Sequence, residues 1–231
     1  MSTTPQKVHI STQFNVELEN LRQRVLAMGG LIEQQFAQAA RALAESDLEL
    51  ARLVKSREAE VDQFELDIDE ECCVILARRQ PAAVDLRLVY CVIKASTDLQ
   101  RIGAEAGKIA SMALDLGTLD PREMPMLDLA PLVRHVAHIL HDALDAFARM
   151  DDEAAGETAG HLDTVDREYE ALMRQCMTYM MEDPRNIRHA MDLLWSLRAL
   201  ERIDLHARNI ADYVIYLVQG KAVRHRGTEV Q

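Results

Sequence analysis

From Phe14 the apolar side chains return at Leu18, Leu21, Val25, Met28, Ile32, Phe36, Ala39 and Leu43. Only an α-helix gathers steps of four and three onto one side, and a stripe held over about four heptads makes a long, bundle-forming helix. Such a stripe must be buried against other helices. Nine Gly, six Pro and 4% aromatic residues in 231 supply too few turns and rings for a β-sandwich or barrel. Gly29-Gly30 lies inside the run. Each glycine costs about 1 kcal/mol relative to alanine in a helix, so the pair predicts a close helix crossing or a slight bend.

Ser46 and Asp47 then provide a turn and an N-cap for a second helix with the core stripe Val54, Val61, Phe64, Ile68, Cys72 and Ile75, ending near Arg79-Gln80. Pro81 suits the first turn of a third helix, carried by Leu86, Val89, Ile93, Ile102 and Ile109 to about Asp115. Residues 117–128, GTLDPREMPMLD, hold two prolines and no helical period, which places a module boundary there. The second half repeats the plan, with helices near 130–150 and 158–182 and a third opened by Asp183-Pro184 and closed by Gly220. Arg101-Ile102, Ala106 and Ile109-Ala110 recur at an offset of 101 as Arg202-Ile203, Ala207 and Ile210-Ala211. Pro81, Cys72 and Val61-Asp62 recur at offsets of 103, 104 and 104 as Pro184, Cys176 and Val165-Asp166. Ordered landmarks at a near-constant offset are the mark of a duplicated unit. The predicted fold is all-α: two tandem, pseudo-symmetric three-helix bundles at residues 1–116 and 129–231, joined by a linker at 117–128.

A formal charge of −12 leaves no overall field to attract nucleic acid or anionic lipid. The polar amino terminus lacks an export signal, and no stretch of about 18 apolar residues occurs, so direct membrane insertion is not expected. Cys72, Cys73, Cys91 and Cys176 form neither a C-x-x-C pair nor a disulfide framework and read as reduced thiols of a cytoplasmic protein.

Residues 58–71, EAEVDQFELDIDEE, hold eight carboxylates and no base. Glu58, Asp62, Glu65 and Asp69 fall at helical steps of four, three and four beside the Phe64/Ile68 core face. Carboxylates so aligned can hold a hard cation; they equally suit a solvated face or arginines on the next helix. His135, His138 and His141 stand three apart, so two neighbouring rings could chelate zinc, although no further ligand completes a tetrahedral set. No histidine has a Glu three residues before it, which excludes the di-iron bundle pattern, and no P-loop, G-x-S-x-G, G-x-G-x-x-G or H-E-x-x-H occurs. An enzyme is not expected.

Longer stretches carry a resemblance: His9-Ile10-Ser11 with Gln13-Phe14-Asn15, Ala27-Met28-Gly29-Gly30, ARRQPAAVDLR from Ala77, LHDALDAFARMD from Leu140, and MTYMMEDP from Met177. With an Arg-Ile motif on each third helix, the chain resembles the PhoU family over about residues 9–221. The resemblance implies a cytoplasmic, non-enzymatic homodimer that regulates phosphate uptake. In that role it links the ATPase of a phosphate ABC transporter to a membrane sensor histidine kinase and holds the phosphate-starvation response off when phosphate is plentiful.

The family's third helices usually read Glu-Arg-Ile-Gly-Asp, and their carboxylates belong to clusters of divalent or iron-type metal. Here the motifs are degenerate: Gln100-Arg101-Ile102-Gly103-Ala104 has lost both acids, and Glu201-Arg202-Ile203-Asp204-Leu205 keeps the first. Asp204 is displaced by about 100° around the helix from the acid it would replace. Asp98 and Glu105 flank Arg101 at i−3 and i+4 and predict intrahelical ion pairs. The metal candidates are therefore Glu58, Asp62, Glu65, Asp69, Asp98, Glu105, Glu201 and Asp204, on motifs whose substitutions disfavour a cluster. The same substitutions suit a divergent relative that keeps the bundle as a scaffold without metal-dependent phosphate signalling.

Overall fold

The computed structural model describes residues 5–117, 127–160 and 162–221, with side chains from Thr12 onward apart from those of residues 162–164. Every regular element among the described residues is helical. The helices are α1 (Pro5–Glu45), α2 (Leu48–Ser56), α3 (Glu58–Arg79), α4 (Ala83–Leu116), α5 (Ala130–Arg149), α6 (Asp152–Gly160), α7 (Leu162–Glu182) and α8 (Ile187–Gln219), with a 3₁₀ turn at Pro184–Asn186. Most of the linker predicted at 117–128 lies outside the described residues.

The apolar stripe of α1 is buried as its period predicts, with Leu21, Val25, Met28, Ile32, Phe36 and Ala39 at or below 1% exposure. Gly29 marks the predicted crossing: a Cβ there would stand 2.7 Å from Leu144 Cδ2 of α5, whereas one on Gly30 would meet nothing. Asp47 caps α2 by accepting from the Leu50 amide at 3.0 Å. The second rod of the first half differs from the sequence reading: it is broken at Arg57, between α2 and α3. Helix α4 starts at Ala83, two residues beyond Pro81. Helix α6 begins as early as Asp152, where Asp151 accepts from the amides of Glu153 and Ala154. Gly220 closes α8 in the left-handed conformation at φ 68°.

The two halves bury the same landmarks. Ile102, Ala106, Ile109 and Ala110 of α4 and Ile203, Ala207, Ile210 and Ala211 of α8 are all within 1% of complete burial. These two helices form the central seam of the molecule. They run antiparallel, since Arg87 Nε donates to the Leu217 carbonyl at 3.0 Å while Arg202 Nη1 donates to Glu105 at 3.0 Å. Helix α1 packs on α4 and α5 on α8, so one hydrophobic cluster runs through both halves.

Candidate functional site

The Arg-Ile helices meet through a polar strip set between their apolar layers. Asp98, 2% exposed, receives Tyr213 Oη at 2.7 Å on one oxygen, while its other oxygen lies 2.7 Å from His206 Nδ1 and 3.5 Å from Asn209 Nδ2. Burial, followed by the hydrogen bond to Asp98, pushes the Tyr213 phenol well above its ordinary pKa. Glu105, 5% exposed, accepts from Lys108 Nζ at 2.8 Å and Arg202 Nη1 at 3.0 Å on a single oxygen. The sequence predicted Asp98 and Glu105 as intrahelical partners of Arg101. Arg101 does stand 3.8 Å from Asp98, but Glu105 takes Lys108 as its intrahelical partner instead, and both acids also make close contacts across to α8.

Asp204 turns inward and takes both oxygens to Arg208 Nε at 3.0 and 2.9 Å. Burial raises the Asp204 carboxyl above its ordinary range against the opposing pull of Arg208. Glu201 pairs with Arg198 one turn away. The acidic stripe on α3 points elsewhere, toward the other side of α4. Glu58 holds Lys55 Nζ at 3.0 Å and lies over Gly107, where a Cβ would collide with its carboxylate. Asp62 accepts from Gln100 Nε2 at 2.9 Å. Burial raises the Glu65 carboxyl despite a hydrogen bond from Thr97, with Asp69 and Asp62 adding to the rise. Asp69 is raised by burial as well, and its Oδ1 has no hydrogen-bond partner among the described residues.

The eight sequence-predicted residues thus fall into separate groups: four along α3, Asp98 and Glu105 in the α4/α8 seam, and Glu201 and Asp204 on α8. Among the described residues no three His, Cys, Asp or Glu side chains converge as a ligand set. A multivalent cluster does not fit the Arg-Ile helices as they stand. Asp98, Glu105, Asp204 and Glu201 are each held by bases of the chain, and Ala104 and Leu205 offer no lone pair. The three histidines of α5 are drawn apart, to Glu168 at 2.8 Å, Asp142 at 3.3 Å and Glu33 at 2.9 Å. Burial lifts the thiols of Cys72 and Cys91 to about 12 and that of Cys176 to about 11, while Cys73 is exposed.

Sequence reasoning missed Arg202, His206, Asn209 and Tyr213 as partners of the buried acids. The repeat offset gave no signal for them, since His206, equivalent to Glu105 by the offset of 101, meets Asp98 instead.

The PhoU domain model matches this chain twice, over residues 25–113 and 129–214. The chain belongs to the PhoU family. A Pseudomonas putida relative, a phosphate-specific transport system accessory protein PhoU homolog, is 49% identical over 219 residues, covering 95% of this chain and 86% of the relative. The PhoU accessory protein of Escherichia coli K12 is 44% identical over 220 residues, covering 95% and 90%. The crystal structure of PhoU from Pseudomonas aeruginosa superposes with a TM-score of 0.86 at 47% identity, over 90% of this chain and all of that one. PhoU from Streptococcus pneumoniae gives 0.84 at 28% identity, over 91% and 99%. The PhoU fold therefore persists in this chain around a seam held by its own ion pairs. No helix of the described residues is long and apolar enough to cross a membrane.

Proposed function

We propose that the chain is a PhoU-type accessory protein of phosphate-specific transport and a negative regulator of the phosphate-starvation response. It acts as a non-enzymatic, cytoplasmic homodimer that joins the ATPase of a phosphate ABC transporter to a membrane sensor histidine kinase. The observation that carries this reading is the near full-length match to relatives named as accessory proteins of phosphate-specific transport. The antiparallel seam supports it physically. Two helices of 34 and 33 residues, each about 50 Å long and locked by buried ion pairs, make a stiff core on which partner helices can dock. The chain functions as two repeats, residues 1–116 and 129–231, about a linker at 117–128.

The experiment is deletion of the gene in cells kept in phosphate-rich medium. Transcription of phosphate-starvation genes rises, and a plasmid copy returns it to the basal level. Unchanged transcription favours the second reading, a divergent scaffold without phosphate signalling, to which Ala104 and Leu205 in the Arg-Ile motifs already point.

A further inference from the structure

The outward faces of α4 and α8 form one ridge whose chemistry runs against that of the whole chain. On α8, Ile187, Met191, Trp195, Arg198, Arg202 and Leu205 follow at steps of four, four, three, four and three, which places them on one stripe. All six are exposed, Trp195 at 59% and Leu205 at 55%. On α4 the equivalent stripe is Leu86, Tyr90, Lys94, Arg101 and Lys108, every one exposed or nearly so. The two stripes adjoin: Lys108 of α4 and Arg202 of α8 both reach the same buried oxygen of Glu105.

Five bases therefore lie along the ridge, in a chain with a net charge of −12; two of the acids beside them, Asp98 and Glu105, are sunk beneath it, and Glu65 of α3 lies toward Arg101. Glu201, on the flank of the stripe and paired with Arg198, is the acid that borders it on α8. Exposed rings and methyls are interleaved with the bases, and Lys94 Nζ stands 5.9 Å from the Tyr90 ring centroid. Exposed apolar side chains interleaved with charges predominantly of one sign mark an interaction surface.

We propose that this α4/α8 ridge docks an amphipathic helix of a partner protein, one whose apolar stripe is bordered by carboxylates. Arg101 and Lys94 set the charge preference, and Trp195 and Leu205 supply the apolar contact. Methionine at 191 adapts to the partner's side-chain shapes. The proposal rests on the adaptor reading for its biological partner, but the surface itself is testable alone.

Trp195 is the single tryptophan of the chain, so its emission reports the ridge directly. The probe is a synthetic helical peptide with leucines at i, i+4, i+7 and i+11 bordered by glutamates, compared with the same peptide bordered by lysines. The glutamate peptide shifts the emission to the blue in a saturable, salt-sensitive manner, and the lysine peptide does not. The charge reversal K94E, at an exposed lysine, weakens the glutamate peptide several-fold and shifts the preference toward the lysine peptide, while Arg101, 3.8 Å from buried Asp98, is kept. Leu205→Ser weakens both; its side chain is exposed, so the fold is retained and circular dichroism confirms it. Lys108 and Arg202 are kept, because removing either strips a base from buried Glu105.

No shift with the glutamate peptide, or equal shifts with both peptides, overturns the proposal. So does a larger shift with anionic phosphatidylglycerol vesicles, which assigns the ridge to membrane, or a concentration-dependent shift without peptide, which assigns it to a second copy. Peptide docking in a chain whose deletion leaves transcription unchanged sinks the regulatory reading and leaves the surface standing. Intact regulation without docking sinks the surface alone.

Discussion

Asp98 concentrates the energetics of the seam in one carboxylate, buried and engaged by His206 and Tyr213 of the opposite repeat. Cutting it back leaves buried polar partners without an acceptor, and breaking a buried charged network from one side costs about 3 kcal/mol or more. Asp98→Ala is expected to lower the unfolding free energy obtained from urea titration by that amount, while Glu19→Ala, at an exposed intrahelical pair, leaves the midpoint essentially unchanged. Asp69 behaves oppositely. Burial raises its carboxyl and leaves Oδ1 unpartnered, so the fold prefers the protonated form. A raised folded-state pKa adds stability below the unfolded-state value of about 3.9 and loses it as pH rises through the folded value. Asp69→Asn is therefore expected to be more stable than the parent at pH 7, with the advantage vanishing as pH falls below about 4; thermal melts at both pH values check this. Neither role is legible in sequence. The partners of Asp98 stand 108 to 115 residues away, and a helical wheel reports only neighbours on the same helix.

Helix positions were legible where the apolar period is long and the caps are strong. The α1 stripe, the Asp47 cap and the Gly220 stop all follow from local rules, because period and capping are properties of a few adjacent residues. The break at Arg57 carries no proline or glycine, so no local signal marks it, and it lies where α2 and α3 both pack against α1 and α4. The early start of α6 was hidden by Gly156 and Gly160, which weaken the helical pattern over DDEAAGETAG. Glycines also separate local from tertiary demands. A Cβ on Gly30 meets nothing, so Gly30→Ala is expected to gain about 0.5–1 kcal/mol in helix propensity. A Cβ on Gly103 meets Ile32 at 2.8 Å, Val61 at 3.1 Å and Gln35 at 3.2 Å on three sides. Overpacking there costs about 1–3 kcal/mol and exceeds the propensity gain, so Gly103→Ala is expected to be destabilising. Denaturant midpoints of the two variants should move in opposite directions.

At the scale of the whole molecule, duplication explains both the fold and its chemistry. Two copies of one unit meet through their third helices, and the acids of the first copy are met by bases of the second. The repeat was readable as an offset of about 101, but the antiparallel contact that turns Arg202 and His206 toward Glu105 and Asp98 exists only in three dimensions. The family follows from the whole length of the chain, while the site does not, because the acids of the Arg-Ile helices are held in ion pairs of the chain itself. What distinguishes an adaptor from a scaffold is whether two partners are held at once. Sedimentation velocity on this chain mixed with the purified transporter ATPase and the cytoplasmic part of the sensor kinase, in phosphate-containing buffer, measures that directly. The account predicts one boundary containing all three proteins, and none joining ATPase to kinase when the chain is omitted; an ATPase and a kinase that sediment apart in its presence would contradict it.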